Sequence, residues 1–130
     1  MINSEYIRLS FPVNPAYVSS ARLTVSSIAN RIRFDIDEIE DLKTAVSEAC
    51  TYIIKQSSRT DENFEICFMP KMGEMTVEIV AYGNNSEDGL DGDLSLMMIK
   101  ALVDEFNITK PEKGKFTITM VKKHKESIFN

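Results

Sequence analysis

A two-layer α+β sandwich, with one mostly antiparallel mixed sheet and helices on one of its faces, is the fold class that the sequence predicts. Three observations lead there. Strand-like alternation and helix-like spacing of apolar residues occur in one chain of 130 residues. The elements run β-α-α-β-β-α-β, without the regular strand–helix–strand alternation of a parallel sheet. No linker, repeat or low-complexity stretch divides the chain, so 1–130 reads as a single domain.

Ile7, Leu9 and Phe11 alternate onto one face of a first strand over residues 5–11. Pro12 and Pro15 bound it, and Asn14 is suited to cap a helix with Pro15 at its first position. Val18, Ala21, Val25, Ile28 and Ile32 then recur at helical spacing to about Arg33. Asp35 or Asp37 caps the second helix. Its acidic first turn (Asp37, Glu38, Glu40, Asp41) suits the positive end of the helix dipole, and its core stripe is Ile39, Leu42, Val46, Ala49 and Ile53. The polar run Gln56 to Asn63 ends it. Residues 64–69 and 74–81 form two strands around a turn at Lys71-Met72-Gly73. The polar stretch Gly83 to Gly89 reads as a loop. A third helix is expected from Leu94 to Phe106, with Leu94, Met98, Leu102, Val103 and Phe106 as its apolar face. After a Pro111–Gly114 turn, residues 115–121 make the last strand.

The composition narrows the function classes. The net charge of −5 disfavours binding to a phosphate backbone, because the protein's field repels nucleic acid. The short basic run Lys122, Lys123, His124 and Lys125 reads as a solvated end. Cys50 and Cys67 have no CxxC partner or nearby His, so they read as small core residues and not as metal ligands. No apolar run reaches membrane-spanning length and the N-terminus lacks a signal-like apolar stretch, so the cytoplasm is the expected location.

The catalytic inventory is thin. His124 is the single histidine and lies near the end of the chain, which leaves a Ser-His-Asp or Cys-His arrangement without a base. Neither GxxxxGK[ST] nor GxGxxG is present. That leaves carboxylates, and Glu48 stands out. At about 100° per residue it lies roughly 130° from the centre of its helix's core stripe. Asp41, Ala45 and Tyr52 share this second face, which periodicity alone reads as solvated.

The stretch from Leu9 to Ser57, through FPVNPAYVSSARLTVSSIANRIRF and DEIEDLKTAVSEACT, resembles the anti-sigma factors that double as serine-protein kinases in bacterial partner-switching systems. These belong to the histidine-kinase-like ATPase superfamily, the GHKL or Bergerat fold. The resemblance implies a helix on which a Glu acts as general base and an Asn four residues later holds Mg²⁺. Positions i and i+4 do stack on one helix face. Here the Glu is Glu48, but Tyr52 stands at the Asn position and is a poor ligand for a hard cation. It also implies a strand-end Asp that selects adenine, with a Gly beside it. Tyr82 and Gly83 stand there. The third implied feature is a glycine-rich turn that cradles phosphate at a helix N-terminus. Gly92 remains, Asp93 and Ser95 replace the other glycines, and the preceding lid loop is short.

A lost metal ligand, a lost base acceptor and an added anion together should weaken nucleotide binding by several kcal/mol, one charged hydrogen bond being worth roughly 1.5–3 kcal/mol. The expectation is therefore a regulator that binds a sigma factor or its antagonist protein, with impaired ATP binding and kinase activity and no resident cofactor or metal. The alternative is an active serine kinase that phosphorylates a small antagonist protein with Mg-ATP. The resemblance places a central partner-contacting Arg of the first helix at Arg22, with Arg31 as a second candidate, and implies a homodimer. A purely structural or assembly role is a third reading, since fold does not fix function.

Overall fold

A computed structural model describes residues 5–57, 62–83, 93–112 and 114–125. Strand β1 (Ile7–Phe11) leads through a short 3-10 helix (Pro15–Tyr17) into helix α1 (Val18–Ala29) and then α2 (Ile36–Gln56). Strands β2 (Phe64–Lys71) and β3 (Glu74–Tyr82) form a hairpin. Helix α3 (Leu94–Leu102) follows, and the chain returns through β4 (Glu105–Glu112) and β5 (Lys115–Lys123). The sheet order is β1-β2-β3-β5-β4. All four pairings are antiparallel, so the sheet is not mixed.

The helices cover one face of this sheet. Met75, Val77, Ile79 and Ala81 of β3 alternate inward, as do Phe116, Ile118 and Met120 of β5. They share one core with Ala21 and Val25 of α1, Leu42, Val46, Ala49 and Ile53 of α2, and Leu96 and Ile99 of α3. Cys50 and Cys67 are free thiols, both buried; Cys50 packs in this core as expected, but Cys67 alternates onto the other face of the sheet and is not part of it. Burial pushes the Cys50 thiol up to about 12, which keeps it protonated and unreactive.

Local chemistry accounts for the helix starts. Asn14 caps the 3-10 turn by accepting from the Ala16 N–H at 2.9 Å. Asp35 rather than Asp37 caps α2. It accepts from Glu38 N at 2.8 Å while Glu38 Oε1 accepts from Asp35 N at 2.9 Å, a reciprocal capping box.

The structure corrects several expectations. Helix α1 stops at Ala29; residues 30–33 form a turn in which Arg33 takes a left-handed φ of 71°. Helix α3 stops at Leu102 and not at Phe106. Val103 is already extended, the Asp104 N–H donates to Val121 O at 2.8 Å, and Phe106 pairs with Met120 inside β4. Hydrogen bonding to β5 thus overrides a helical spacing that continues past the helix, giving a fifth strand the sequence did not reveal. The apolar face of α3 shifts accordingly: Leu94 and Met98 are exposed, while Ser95, Leu96 and Ile99 are buried.

The basic run at 122–125 is not a solvated end. Lys122 Nζ donates to the Leu102 carbonyl at 2.7 Å and meets Asp41 at 3.2 Å. His124 Nδ1 lies 2.7 Å from Glu38 Oε1, the Lys125 N–H donates to Glu38 Oε2 at 2.8 Å, and Lys125 Nζ pairs with Asp35 at 3.0 Å. The end of β5 is thereby fastened across the N-terminus of α2.

Candidate functional site

The candidate site lies where the second half of α2, the end of β3 and the start of α3 come together. Lys122 ties Asp41 of α2 to Leu102, the last residue of α3. Helix α3 packs against α2.

Glu48 is half-buried, and no hydrogen bond or ion pair of its carboxylate is found among the described residues. Its helix face is not solvated as periodicity suggested. Ala45 is fully buried, and Tyr52 is 1% exposed with its ring edge-on to Phe116, centroids 6.2 Å apart at 85°. The T-shaped contact suits the ring quadrupole. Tyr52 has therefore become part of the core, and its turn of α2 presents no metal ligand beside Glu48.

The strand-end position also differs from expectation. Tyr82 lies on the outer face of the sheet, where it lines a recess of about 180 Å³ with Arg8, Cys67, Glu78 and Lys115. It faces away from Glu48. The residue directed inward at the end of β3 is Ala81, fully buried, which has no acceptor for an adenine amino group. Strict strand alternation counted inward from Met75 was the signal that could have found it. Gly83 has a packing reason of its own. A Cβ there would come within 2.6 Å of the Gln56 carbonyl oxygen, so the close approach of the end of α2 requires glycine. Ser57 Oγ donates to the Tyr82 carbonyl at 3.2 Å, joining the same two ends.

At the start of α3, Asp93 is the N-cap. Its Oδ1 accepts from the Ser95 N–H at 2.8 Å and the Leu96 N–H at 3.3 Å. Ser95 is buried directly behind it. Gly92 and the expected lid lie outside the described residues.

Of the partner-binding candidates, Arg22 is exposed on α1. Arg31 lies past the end of α1, in a recess of about 300 Å³ floored by Ile7, Ile28 and Ile32 and edged by Lys71 and Met72. The two arginines do not share one helix face. Asp35, Glu38 and His124 bring potential metal-ligand atoms within 4.8 Å of one another. Their oxygens are already engaged by each other's N–H groups and by Lys125.

Residues 11–122 match the family model described as the histidine kinase-like ATPase domain. The chain belongs to that family. Within it, the serine-protein kinase RsbW of Bacillus subtilis (strain 168) is 31% identical, over 82% of this chain and 79% of the relative. RsbW of Oceanobacillus iheyensis is 33% identical, over 83% and 81%. RsbW of Bacillus cereus (strain G9842) is 36% identical over 82% of this chain, which spans 62% of that relative's length. These matches bear out the resemblance to the anti-sigma-factor kinases of the family. Two solved structures have the same fold. The RsbU and RsbW domains of Rv1364c from Mycobacterium tuberculosis superpose with a TM-score of 0.73 at 18% identity, over 92% of this chain and 32% of that one. The SiaB–SiaC complex from Pseudomonas aeruginosa gives 0.70 at 11% identity, over 88% of both chains.

The turn after Glu48 offers a buried aromatic ring, the inward strand end offers a methyl group, and the amides at the start of α3 are occupied by a carboxylate. Among the described residues, no helix is long and apolar enough to cross a membrane.

Proposed function

We propose that this protein is a partner-switching regulator that acts by binding protein: it sequesters a sigma factor or binds the sigma factor's antagonist, as a homodimer, with impaired binding of Mg-ATP and impaired kinase activity. The observation that carries this reading is Tyr52, packed against Phe116 one turn after Glu48. A general base without a metal ligand beside it has no means of holding a triphosphate in line for transfer. The exposed Arg22 on α1 supports the partner-binding half.

The test is a titration with purified sigma factors and antagonist proteins from the same genome, repeated with Arg22→Glu. Reversing a charge at a protein interface should weaken the complex by about tenfold or more. Unchanged affinity would remove Arg22 from the interface. Failure of every such partner to bind would sink the reading. The active-kinase alternative draws on the retained, half-buried Glu48. Phosphate transfer to a serine of the antagonist that disappears in Glu48→Gln would favour it.

A further inference from the structure

We propose that the outward face of α3 is a homodimer interface, on which α3 of a second copy packs antiparallel about a two-fold axis. The inference rests on the homodimer of the proposed function and gives it a surface. Helix α3 is apolar on two opposite sides. Leu96 and Ile99 turn into the core. Leu94, Met97 and Met98 turn outward, 73%, 55% and 43% exposed, and Ala101 is exposed with them. The spacing i, i+3, i+4, i+7 is that of a single helix face, and a helix that is apolar all round is normally covered on both sides. The outward stripe fits its own copy because it is self-complementary. A two-fold interface brings the same patch of both subunits together. Turned antiparallel about a centre between Met97 and Met98, the large Leu94 of each copy meets the small Ala101 of the other. Met97 meets Met98 of the second copy, and unbranched thioether chains adapt to one another. Large-on-small pairing lets two helix axes approach to about 8–10 Å. The charges match as well. Asp93 and Lys100 lie about two turns apart on one flank of the stripe. In the antiparallel pair that flank faces itself with its ends exchanged, so each Lys100 comes within reach of Asp93 of the other copy. The helix dipoles also oppose each other end to end. The stripe is smaller than a standard interface, which has about 20–30 residues a side, so the dimer dissociates on dilution. Arg22 stands on α1, and the dimer therefore carries two copies of the proposed partner site.

The test is sedimentation equilibrium of the full chain at loadings from about 1 μM to about 1 mM. Expected is a reversible monomer–dimer equilibrium with a Kd of roughly 10–100 μM. Met97→Glu sets a carboxylate on the paired apolar face and should weaken the dimer by about tenfold or more, and Met98→Lys should do the same. An equimolar mixture of these two variants should recover the dimer. In the antiparallel register position 97 of one chain faces position 98 of the other, so the introduced charges pair. Both positions are exposed, and circular dichroism checks that both variants keep the fold. Should either not fold, Leu94→Lys and Ala101→Glu make the same complementary pair. Arg22→Glu should leave the dimer unchanged. If Met97→Glu dimerises as tightly as the unchanged chain, this proposal is overturned while the homodimer stands on another surface. A mixture that does not reassociate overturns the antiparallel pairing and the proposal with it. A chain that is monomeric at every loading overturns both this interface and the homodimer of the proposed function, and leaves the binding of sigma factor or antagonist as it was. If that monomer loses its sigma factor or antagonist on Met97→Glu, the face belongs to the partner protein and not to a second copy.

Discussion

Two residues remote from the candidate site carry unusual loads. Arg33 holds a left-handed φ of 71° in the turn between α1 and α2. A residue with a Cβ is disfavoured there by roughly 1–2 kcal/mol, and glycine offsets part of this by its larger entropy in the unfolded chain. Arg33→Gly is expected to stabilise the protein by about 0.5–1 kcal/mol in urea denaturation; a loss of stability would show that the Arg33 side chain has a binding role in the fold. Glu38 is the opposite case, a buried carboxylate serving several donors at once. Burial pushes it up, but the Asp35 N–H, His124 and the Lys125 N–H outweigh that, and its carboxyl lies below the usual range. The Glu38 N–H and Lys125 hold Asp35 down in the same way. Both groups are lower in the folded state than in the unfolded one. Their contribution is therefore complete above the unfolded range and is lost as pH falls through the folded values, below about pH 4. Glu38→Ala should lose about 2 kcal/mol at neutral pH, since several donors lose their acceptor. Its stability should also fall less steeply with acid than that of the unchanged chain.

At the scale of elements, the end of β5 does more than complete the sheet. Lys122 supplies a donor to the last carbonyl of α3, where no intrahelical partner exists. Lys122→Met, which keeps most of the stem's packing, should destabilise by about 1 kcal/mol, and the coupling to Asp41 should be small because that pair is half-exposed. A double-mutant cycle with Asp41→Asn measures both terms. These ties also mark where the sequence was legible. The β2–β3 hairpin and α2 were readable because alternation, a turn at Lys71-Met72-Gly73 and an Asp35-x-x-Glu38 cap are local signals. The end of α3 was not readable. Leu102, Val103 and Phe106 continue the helical stripe of α3, and the decision came from β5, which lies later in the chain. The basic run was misread for a related reason: His124 meets Glu38, 86 residues earlier, and no local pattern encodes that contact. Within the candidate site, Glu48 and Asp93 were picked out by the resemblance of their segments to the family's motifs. The inward turn of Tyr52 was hidden because the ring it packs against, Phe116, is supplied by a distant part of the chain.

At the scale of the whole molecule, the chain belongs to the histidine kinase-like ATPase family, and the proposed reading has positions of its nucleotide site taken up by packing and capping, Tyr52 against Phe116 and Asp93 on the first amides of α3. This has a consequence that needs no knowledge of the partner. A ligand that binds only the folded state stabilises it by RT ln(1 + [L]/Kd). With Mg-ATP at about 5 mM, a relative with a Kd near 10 μM would gain roughly 3.7 kcal/mol, which for a domain of this size corresponds to more than about 10 °C in Tm. If Tyr52, Ala81 and Asp93 have weakened the site to a Kd of about 5 mM or above, the gain is at most about 0.4 kcal/mol and the shift about 2 °C or less. Thermal unfolding followed by circular dichroism, with Mg²⁺ alone and with Mg-ATP, separates the two cases. A shift above about 5 °C on adding the nucleotide would mean that the side chains around Glu48 rearrange to admit it, and the reading of this protein as a scaffold that regulates by binding protein would give way to that of a working kinase.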